Sequence, residues 1–493
     1  MRFRYYKLHY KFDYRLAVAL LAMLPGAALA HGFGRLYTLP VPLWLYGWGA
    51  AATLIVSFVV AALFLSTPAT PIKSGALPLN TALVRRGIPP LRLFAVFILL
   101  LCIATGFLGH RDPLRNFSLT FFWIIFVLLF TYLTLFVGNF YAALNPWRSL
   151  ADGVGRVWRG FCHGRVDYPK ALADWPALLL YLGFIWFELF GTGRPKPLAT
   201  FLTAYTVLNL LGVWLVGARS WFRHCEFFSV FFRLIALMAP LDYQRGENNA
   251  PGKLYLRWPF TGLLHERPAH ISTVAFALAM LSTTAFDGLK AAQPWTMLFW
   301  GDPTGWMTQW QGVPPINAIK VFLPWYTAWN TFCLLASPFL YLGLYLLTLK
   351  LAKLFTGSQR SVSQLALDFG YTLLPIAFVY HLTHYATLIL NHGMKIISLA
   401  SDPFGWQWNL FGTLHRFRAP ILPDMGVVWH SQVGLILLGH IVSVWIAHRI
   451  ALRVFGTRGK AMASQLPMLA LMIGFTIAGL WILAQPLTTL RFL

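Results

Sequence analysis

Ionisable side chains lie inside several apolar stretches of this chain, where burial in hydrocarbon is costly and a function is the usual reason for keeping them. The strongest pair lies in the stretch 366–390, where His381 and His384 are three residues apart. On a helix this spacing places the two rings about 60° apart around the axis, so both can reach one ion. His440, near the middle of the stretch 427–448, is a third candidate. The pattern favours a metal site built from imidazoles.

Two carboxylates complete the polar set. Glu188 lies in the stretch 176–192, and Asp287 directly follows the stretch 269–286. Two or three imidazoles with a carboxylate form a ligand set typical of a divalent transition metal such as Zn²⁺, Mn²⁺ or Fe²⁺. Two other interpretations stay open, namely histidines that hydrogen-bond between helices and a proton relay through the membrane.

The N-terminal segment has the composition of a signal peptide. Five lysines and arginines in residues 1–15 precede the apolar run LAVALLAMLPGAALA, which ends at Ala30. Fifteen residues are too few to span a bilayer comfortably, and the small residues at the end of the run fit a cleavage site. We therefore expect residues 1–30 to be removed, although a retained short anchor stays open. Cleavage would make His31 the first residue, whose α-amine and ring could together chelate copper; an ordinary N-terminal residue is the alternative.

The elements that must position these groups are membrane-spanning helices. Of the 493 residues 58% are hydrophobic and only 11% are charged, against about 25% charged in soluble domains. This composition excludes a soluble globular enzyme and a disordered chain. We predict an all-α, polytopic integral membrane bundle in which residues 31–493 form one domain. About ten spans are expected, near 44–65, 93–109, 118–137, 176–192, 200–217, 269–286, 319–348, 366–390, 427–448 and 465–490.

The distribution of positive charge predicts the orientation. Five alternate loops hold 23 of the 39 lysines and arginines, and five more precede the apolar N-terminal run. Such loops face the cytoplasm, so we expect a protein of the bacterial inner membrane with its mature N-terminus outside. Glu188, Asp287, His381 and His384 then share the outer half of the bilayer. The net charge of +24 is explained by these loops, and no basic stripe accompanies it, so we expect no nucleic-acid partner.

Two long loops on the outer side are rich in tryptophan. The loop 287–318 contains Trp295, Trp300, Trp306 and Trp310, and the loop 391–425 contains Trp406 and Trp408. An aromatic belt at the membrane interface would explain them. A lid or an apolar binding mouth over the bundle is the functional alternative.

Several segments resemble a family of bacterial polytopic membrane proteins known as fenitrothion hydrolases. They run in the same order from His31 to about Leu452. The segments are HGFGRLYTLPVPLWLYGW (31–48), VGNFYAALNPWRSL (137–150), WPALLLYLGFIWFEL (175–189), FDGL (286–289), THYATLI (383–389), DPFGWQWNLFGT (402–413) and GHIVSVWIAHRIAL (439–452).

The resemblance implies hydrolysis of an apolar organophosphorus triester with release of a nitrophenol. The positions that match the family and could do chemistry are His31, Glu188, Asp287, His384 and His440. A bound metal would lower the pKa of its water and polarise the phosphorus centre. The histidines, with His381 as a further candidate, would hold the metal, and Asp287 or Glu188 would be a ligand or the general base.

Two non-enzymatic functions stay open as alternatives to the hydrolase. A membrane protein with an exposed N-terminal histidine and intramembrane histidines could bind or transport a transition metal, copper especially. The chain could also be a membrane subunit that anchors or matures a catalytic partner. An apolar small molecule and the lipid bilayer are the partners that the enzyme reading requires.

Overall fold

The computed structural model describes residues 39–65, 75–78, 81–244, 253–417, 419–421 and 423–485. The predicted signal peptide 1–30 and His31 lie outside the described residues. The cleavage and copper-chelate predictions therefore stay predictions.

Ten apolar helices in the described part of the chain each correspond to one predicted span. Nine of them are long and apolar enough to cross a membrane. The exception is the fourth, whose 16 residues fall short of the roughly 20 that a span requires. The prediction of an all-α polytopic bundle is confirmed. The ten helices are α1 (Leu43–Phe64), α2 (Thr81–Leu108), α3 (Phe117–Val137), α4 (Trp175–Phe190), α5 (Pro195–Val216), α6 (Ile271–Ala291), α7 (Ile319–Thr356), α8 (Val362–Gly393), α9 (Met425–Phe455) and α10 (Arg458–Ala484).

Short elements connect these helices. Three strands form a small antiparallel sheet in the order β1–β3–β2, with β1 at Gly75–Pro78, β2 at Leu241–Gln244 and β3 at Lys253–Leu256. The short helices are Tyr141–Leu144, Pro146–Val157, Ala218–His224, Phe227–Ala236, Gly262–His265, Gln293–Trp300, Trp306–Gln311 and Lys395–Ser401. Short 3₁₀ turns lie at Pro113–Arg115, Phe161–His163, Lys170–Leu172 and Pro315–Asn317.

Helix α6 lies at the centre of the bundle. It packs against α4, α7, α8 and α10, and every residue from Ser272 to Phe286 is buried. Small side chains such as Ala275, Ala279 and Ser282 let the neighbouring backbones approach closely, as is usual between membrane helices. The polar residue that follows, Asp287, is consequently held inside the protein.

Two helices depart from α-helical geometry where they pack together. Residues Thr120–Leu129 of α3 and Ile389–Gly393 of α8 are π-helical, and the two segments contact each other. A π-helical turn is wider than an α-turn, so it changes the direction of the side chains that follow. Such turns are rare and frequent at functional sites.

A charged cluster fixes the beginning of α4. Asp174 accepts hydrogen bonds from the ring of His224 at 2.8 Å and from Thr273 at 2.6 Å, and Arg233 lies 3.6 Å away. Burial alone would raise the pKa of the Asp174 carboxyl, but the bonds from His224 and Thr273 and the charge of Arg233 together lower it below its ordinary value. The cluster therefore joins α4 to α6 and to the short helices Ala218–His224 and Phe227–Ala236.

Candidate functional site

A carboxylate on α6 meets two side chains of α8 inside the bundle. The ring Nε2 of His384 lies 2.9 Å from Oδ2 of Asp287, and the hydroxyl of Tyr385 donates to the same oxygen at 3.0 Å. An ionised carboxylate only accepts hydrogen bonds, so the Nε2 of His384 must donate when Asp287 is charged. The three residues form a polar cluster in an otherwise apolar core.

A cavity of about 250 Å³ lies beside this cluster. Its walls come from α3, α4, α5 and α8, near the end of the bundle where α3 and α5 begin and α4 ends. Most of the lining is apolar, and several of its side chains belong to the π-helical segment of α3. The lining residues are Leu119, Trp123, Ile124, Val127, Leu128, Phe187, Glu188, Gly193, Arg194, Leu198, Tyr385 and Leu388.

Glu188 and Arg194 are the charged residues that line this cavity. Glu188 lies two residues before the end of α4 and is half-buried. Arg194 immediately precedes α5, which starts at Pro195, so a short loop brings the two charges to one space. Because proline fixes φ at the first helical position, the direction in which the chain enters α5 after Arg194 is constrained.

Lys290 balances the two carboxylates. Its charge acts on both Glu188 and Asp287. Its Nζ donates to the backbone oxygen of Leu189 at 3.0 Å and lies 5.1 Å from the centre of the Phe190 ring. These contacts tie the end of α6 to the end of α4. A cation near two carboxylates reduces the cost of burying them.

His381 contacts the Tyr385 ring but is not part of the hydrogen-bonded cluster. The two rings are 4.9 Å apart, and Tyr132 and Phe231 also contact the histidine. Its Nδ1 is buried and has no hydrogen-bond partner among the described residues. No contact joins His381 to Asp287 in the described structure, so the two histidines of the pair have different surroundings.

His440 forms hydrogen bonds in a different part of the bundle. Its Nδ1 lies 2.7 Å from the backbone oxygen of Ile436, and its Nε2 lies 3.0 Å from the hydroxyl of Thr476 on α10. Both ring nitrogens are therefore engaged between α9 and α10, away from the cavity that Glu188 lines. This arrangement is the interhelical hydrogen bonding that the sequence left open as an alternative to a metal.

The described donors do not form a metal cage. Within the described part of the chain, no group of three or more His, Cys, Asp or Glu residues lies close enough to hold an ion. Asp287 and His384 are directly paired, His440 lies elsewhere, and His31 is not described. A transition metal therefore stays a prediction from the sequence.

Two cavity residues were not recognised in the sequence. Arg194 lies in a loop, and loop arginines are ordinary in membrane proteins. Its only signal was its position six residues after Glu188. Tyr385 was overlooked between more conspicuous neighbours, although it directly follows His384 and its hydroxyl needs a partner when buried.

The fold and the cavity define this chain as a polytopic helical membrane protein with a polar cluster inside its bundle. Comparisons with protein-family models, with curated proteins and with solved structures give no match. The functional argument therefore rests on the residues themselves.

Proposed function

We propose that this protein is a membrane-embedded hydrolase of apolar organophosphorus triesters of the fenitrothion kind. One observation supports it above the others: a carboxylate and a guanidinium, Glu188 and Arg194, line one mostly apolar cavity near the end of a membrane bundle. The segments that resemble the hydrolase family include Glu188, Asp287 and His384 among their matching positions. A neutral aryl triester partitions into the bilayer, and apolar walls suit it.

The residues divide the chemistry between them. Glu188 takes a proton from a water molecule as the water oxygen attacks phosphorus. The bond from phosphorus to the aryl oxygen breaks, and the aryloxide leaves with the bonding electron pair. Protonated Glu188 then returns its proton to the aryloxide, which regenerates the carboxylate. Arg194 stabilises the negative charge that develops on the phosphoryl sulfur or oxygen.

Asp287, His384 and Tyr385 act on this step indirectly. Neither Asp287 nor His384 lines the cavity, whereas the ring of Tyr385 does. The hydrogen bonds to Asp287 hold that ring in the cavity wall, and the charge of Asp287 acts on Glu188. Asp287 is therefore a positioning residue in this proposal, rather than the general base.

The alternative of copper binding or transport gains no structural support from His440, because Ile436 and Thr476 occupy its two nitrogens. No described surface favours a non-catalytic subunit over an enzyme.

We also propose that the end of the bundle with the cavity faces away from the cytoplasm. The loops rich in lysine and arginine lie at the opposite end, which supports this orientation. A reporter fused at Gly405 should be extracytoplasmic, and one at Gly357 should be cytoplasmic. A cytoplasmic reporter at Gly405 would overturn the orientation.

The hydrolase proposal is tested with the purified full chain in lipid nanodiscs. Release of the nitrophenol from fenitrothion is followed for the wild type, for Glu188→Gln and for the matched control Glu266→Gln, an exposed glutamate outside the helices. We expect Glu188→Gln to reduce the rate at least about 100-fold, because it removes the base, and Glu266→Gln to leave it unchanged. Equal rates for the wild type and Glu188→Gln would overturn the proposal.

A further inference from the structure

A second cavity, larger than the first, lies where the Trp-rich loop meets the beginning of α7. Its volume is about 690 Å³, within the range of roughly 300–1,000 Å³ that is usual for small-molecule sites. Six aromatic side chains dominate its lining, together with Leu298, Met307 and Ala328. We call it the Trp chamber and define it by Phe299, Trp306, Trp310, Phe322, Trp325 and Trp329.

The walls of the Trp chamber are built in advance of any ligand. The short helix Trp306–Gln311 lies between Gly305 and Gly312, which both have left-handed backbone angles, with φ of 69° and 76°. Such angles favour glycine. The Asp302 carboxylate accepts from the backbone N–H of Thr308 at 2.7 Å and from its hydroxyl at 2.7 Å. These contacts fix the orientation of Trp306 and Trp310.

A small core supports the chamber from behind. Trp300, Met307 and Phe322 form a buried cluster separate from the main core of the bundle. Trp300 is fully buried, whereas Trp306, Trp310 and Trp325 remain more than half exposed. The chamber therefore has a rigid floor and an open side through which a small molecule can enter.

The geometry of the rings indicates the class of ligand. The Trp310 and Trp325 rings lie 6.1 Å apart and perpendicular to each other, and Trp306 is inclined 27° to Trp310 at 6.4 Å. A flat molecule in this space can meet one indole by its face and another by its edge, the two favoured aromatic geometries. Among the described residues, no charged side chain lines the chamber, so a neutral ligand is favoured over an ion.

A series of contacting rings leads from the chamber towards the polar cluster. Trp329 lies 4.5 Å from Trp295, and Trp295 contacts Phe286, which directly precedes Asp287. The Nε1 of Trp186 also donates to Thr331 at 2.9 Å, which joins the helix of Glu188 to α7. The chamber and the first cavity are thus attached to the same helices.

We propose that the Trp chamber is a second binding site, for flat, neutral aromatic molecules. An aromatic belt would explain exposed tryptophans, but it does not require rings to face one another across a preformed cavity. Under the proposed function, the chamber would collect the aromatic part of a substrate or product. Binding to it does not depend on turnover at Glu188, so the two proposals can fail separately.

Equilibrium dialysis with the full chain in nanodiscs tests this site. The probes are nitrobenzene and nitrocyclohexane, which share the nitro group but differ in aromaticity, and empty nanodiscs supply the blank. We expect the wild type to bind nitrobenzene roughly threefold to tenfold more tightly than the saturated analogue. Trp310→Leu and, as an independent variant, Trp325→Leu should abolish that difference.

Two controls complete the experiment. Trp48→Leu changes a tryptophan on α1 that is 70% exposed and lies outside the chamber, and Glu188→Gln alters the first cavity only. Both should retain the preference for nitrobenzene. Equal affinity of the wild type for the two probes, or a full preference in both chamber variants, would overturn the proposal. Loss of the preference in Glu188→Gln would also contradict it, because binding would then belong to the first cavity.

Discussion

The imidazole of His384 and the carboxylate of Asp287 are joined by a 2.9 Å contact, although they are 97 residues apart in the chain. The contact connects α8 to α6 inside the bundle, where both side chains are largely buried, with 14% of His384 and 21% of Asp287 exposed. Each residue lowers the cost of burying the other, and Tyr385 supplies a second hydrogen bond to the same carboxylate oxygen. The arrangement fixes one wall of the cavity that contains Glu188.

Replacement of Asp287 by Asn should show whether Asp287 positions Tyr385 and Glu188 or contributes to substrate binding. The amide has the same size but lacks the charge, so the Tyr385 ring and Glu188 lose their alignment. We expect kcat to fall on the order of 10-fold to 100-fold, while KM changes little because apolar walls bind the substrate. Tyr385→Phe, which keeps the ring and removes its bond to Asp287, should show a smaller loss of the same kind. A change in KM alone in either variant would contradict the positioning role.

Arg194 should contribute through its charge. Arg194→Gln removes the cation from the cavity, and we expect kcat to fall on the order of 100-fold, as is usual when one group that stabilises a developing anion is lost. Arg194→Lys should recover part of the rate because it restores the charge. Lys196→Gln is the matched control, since Lys196 is exposed two residues further along and does not line the cavity. Similar losses in the Arg194→Gln and Lys196→Gln variants would show that the effect is not local.

Removal of metal distinguishes the proposed mechanism from the metal centre predicted by the sequence. If Glu188 and Arg194 supply the chemistry as proposed, turnover should survive extensive dialysis against EDTA. Elemental analysis of the wild type, His384→Ala and the exposed control His163→Ala accompanies the assay. Loss of activity that Zn²⁺ or Mn²⁺ restores, together with metal that is absent only from His384→Ala, would instead support a metal site at His384.

Acid should weaken the cluster at the beginning of α4. The pKa of Asp174 is lowered in the folded protein, so its charge stabilises the fold at pH values above the ordinary value of 3.8. This stabilisation is lost as the pH falls below 3.8 and through the lowered folded value. We expect Asp174→Asn to lower the Tm at pH 7 and to have progressively less effect towards pH 2. Asp167→Asn, in the same loop but exposed, should leave Tm unchanged. An equal loss of Tm at pH 7 and pH 2 in Asp174→Asn would contradict the account.

The positions of the helices could be predicted because long apolar runs must form hydrogen bonds within themselves in a bilayer. Their ends were less predictable. The seventh span was expected to end at 348, but α7 continues to Thr356, because a polar helical extension beyond the membrane has no hydropathy signal. The fourth span was expected to end at 192, but α4, whose end brings Glu188 to the cavity, ends at Phe190.

The site was only partly predictable for a different reason. Asp287 and His384 were expected in the same half of the bilayer, but hydropathy does not determine how a uniformly apolar helix is rotated about its axis. His440 consequently faces Thr476 rather than the cavity. The π-helical turn at Ile389–Gly393 follows Tyr385 and Leu388 closely, and no pattern in the residues indicated it. Arg194 was missed because a loop residue has no periodic signal.

The central claim is that Glu188 directs a water molecule to phosphorus, and isotope labelling tests it most directly. Fenitrothion is incubated in water enriched in ¹⁸O with the wild type, Glu188→Gln or Glu266→Gln. The masses of both products are then measured by mass spectrometry. The account predicts one heavy oxygen in the phosphorothioate and none in the nitrophenol, formed at equal rates by the wild type and Glu266→Gln and at least about 100-fold more slowly by Glu188→Gln. Heavy oxygen in the nitrophenol, or no product from the wild type above the rate in empty nanodiscs, would contradict it.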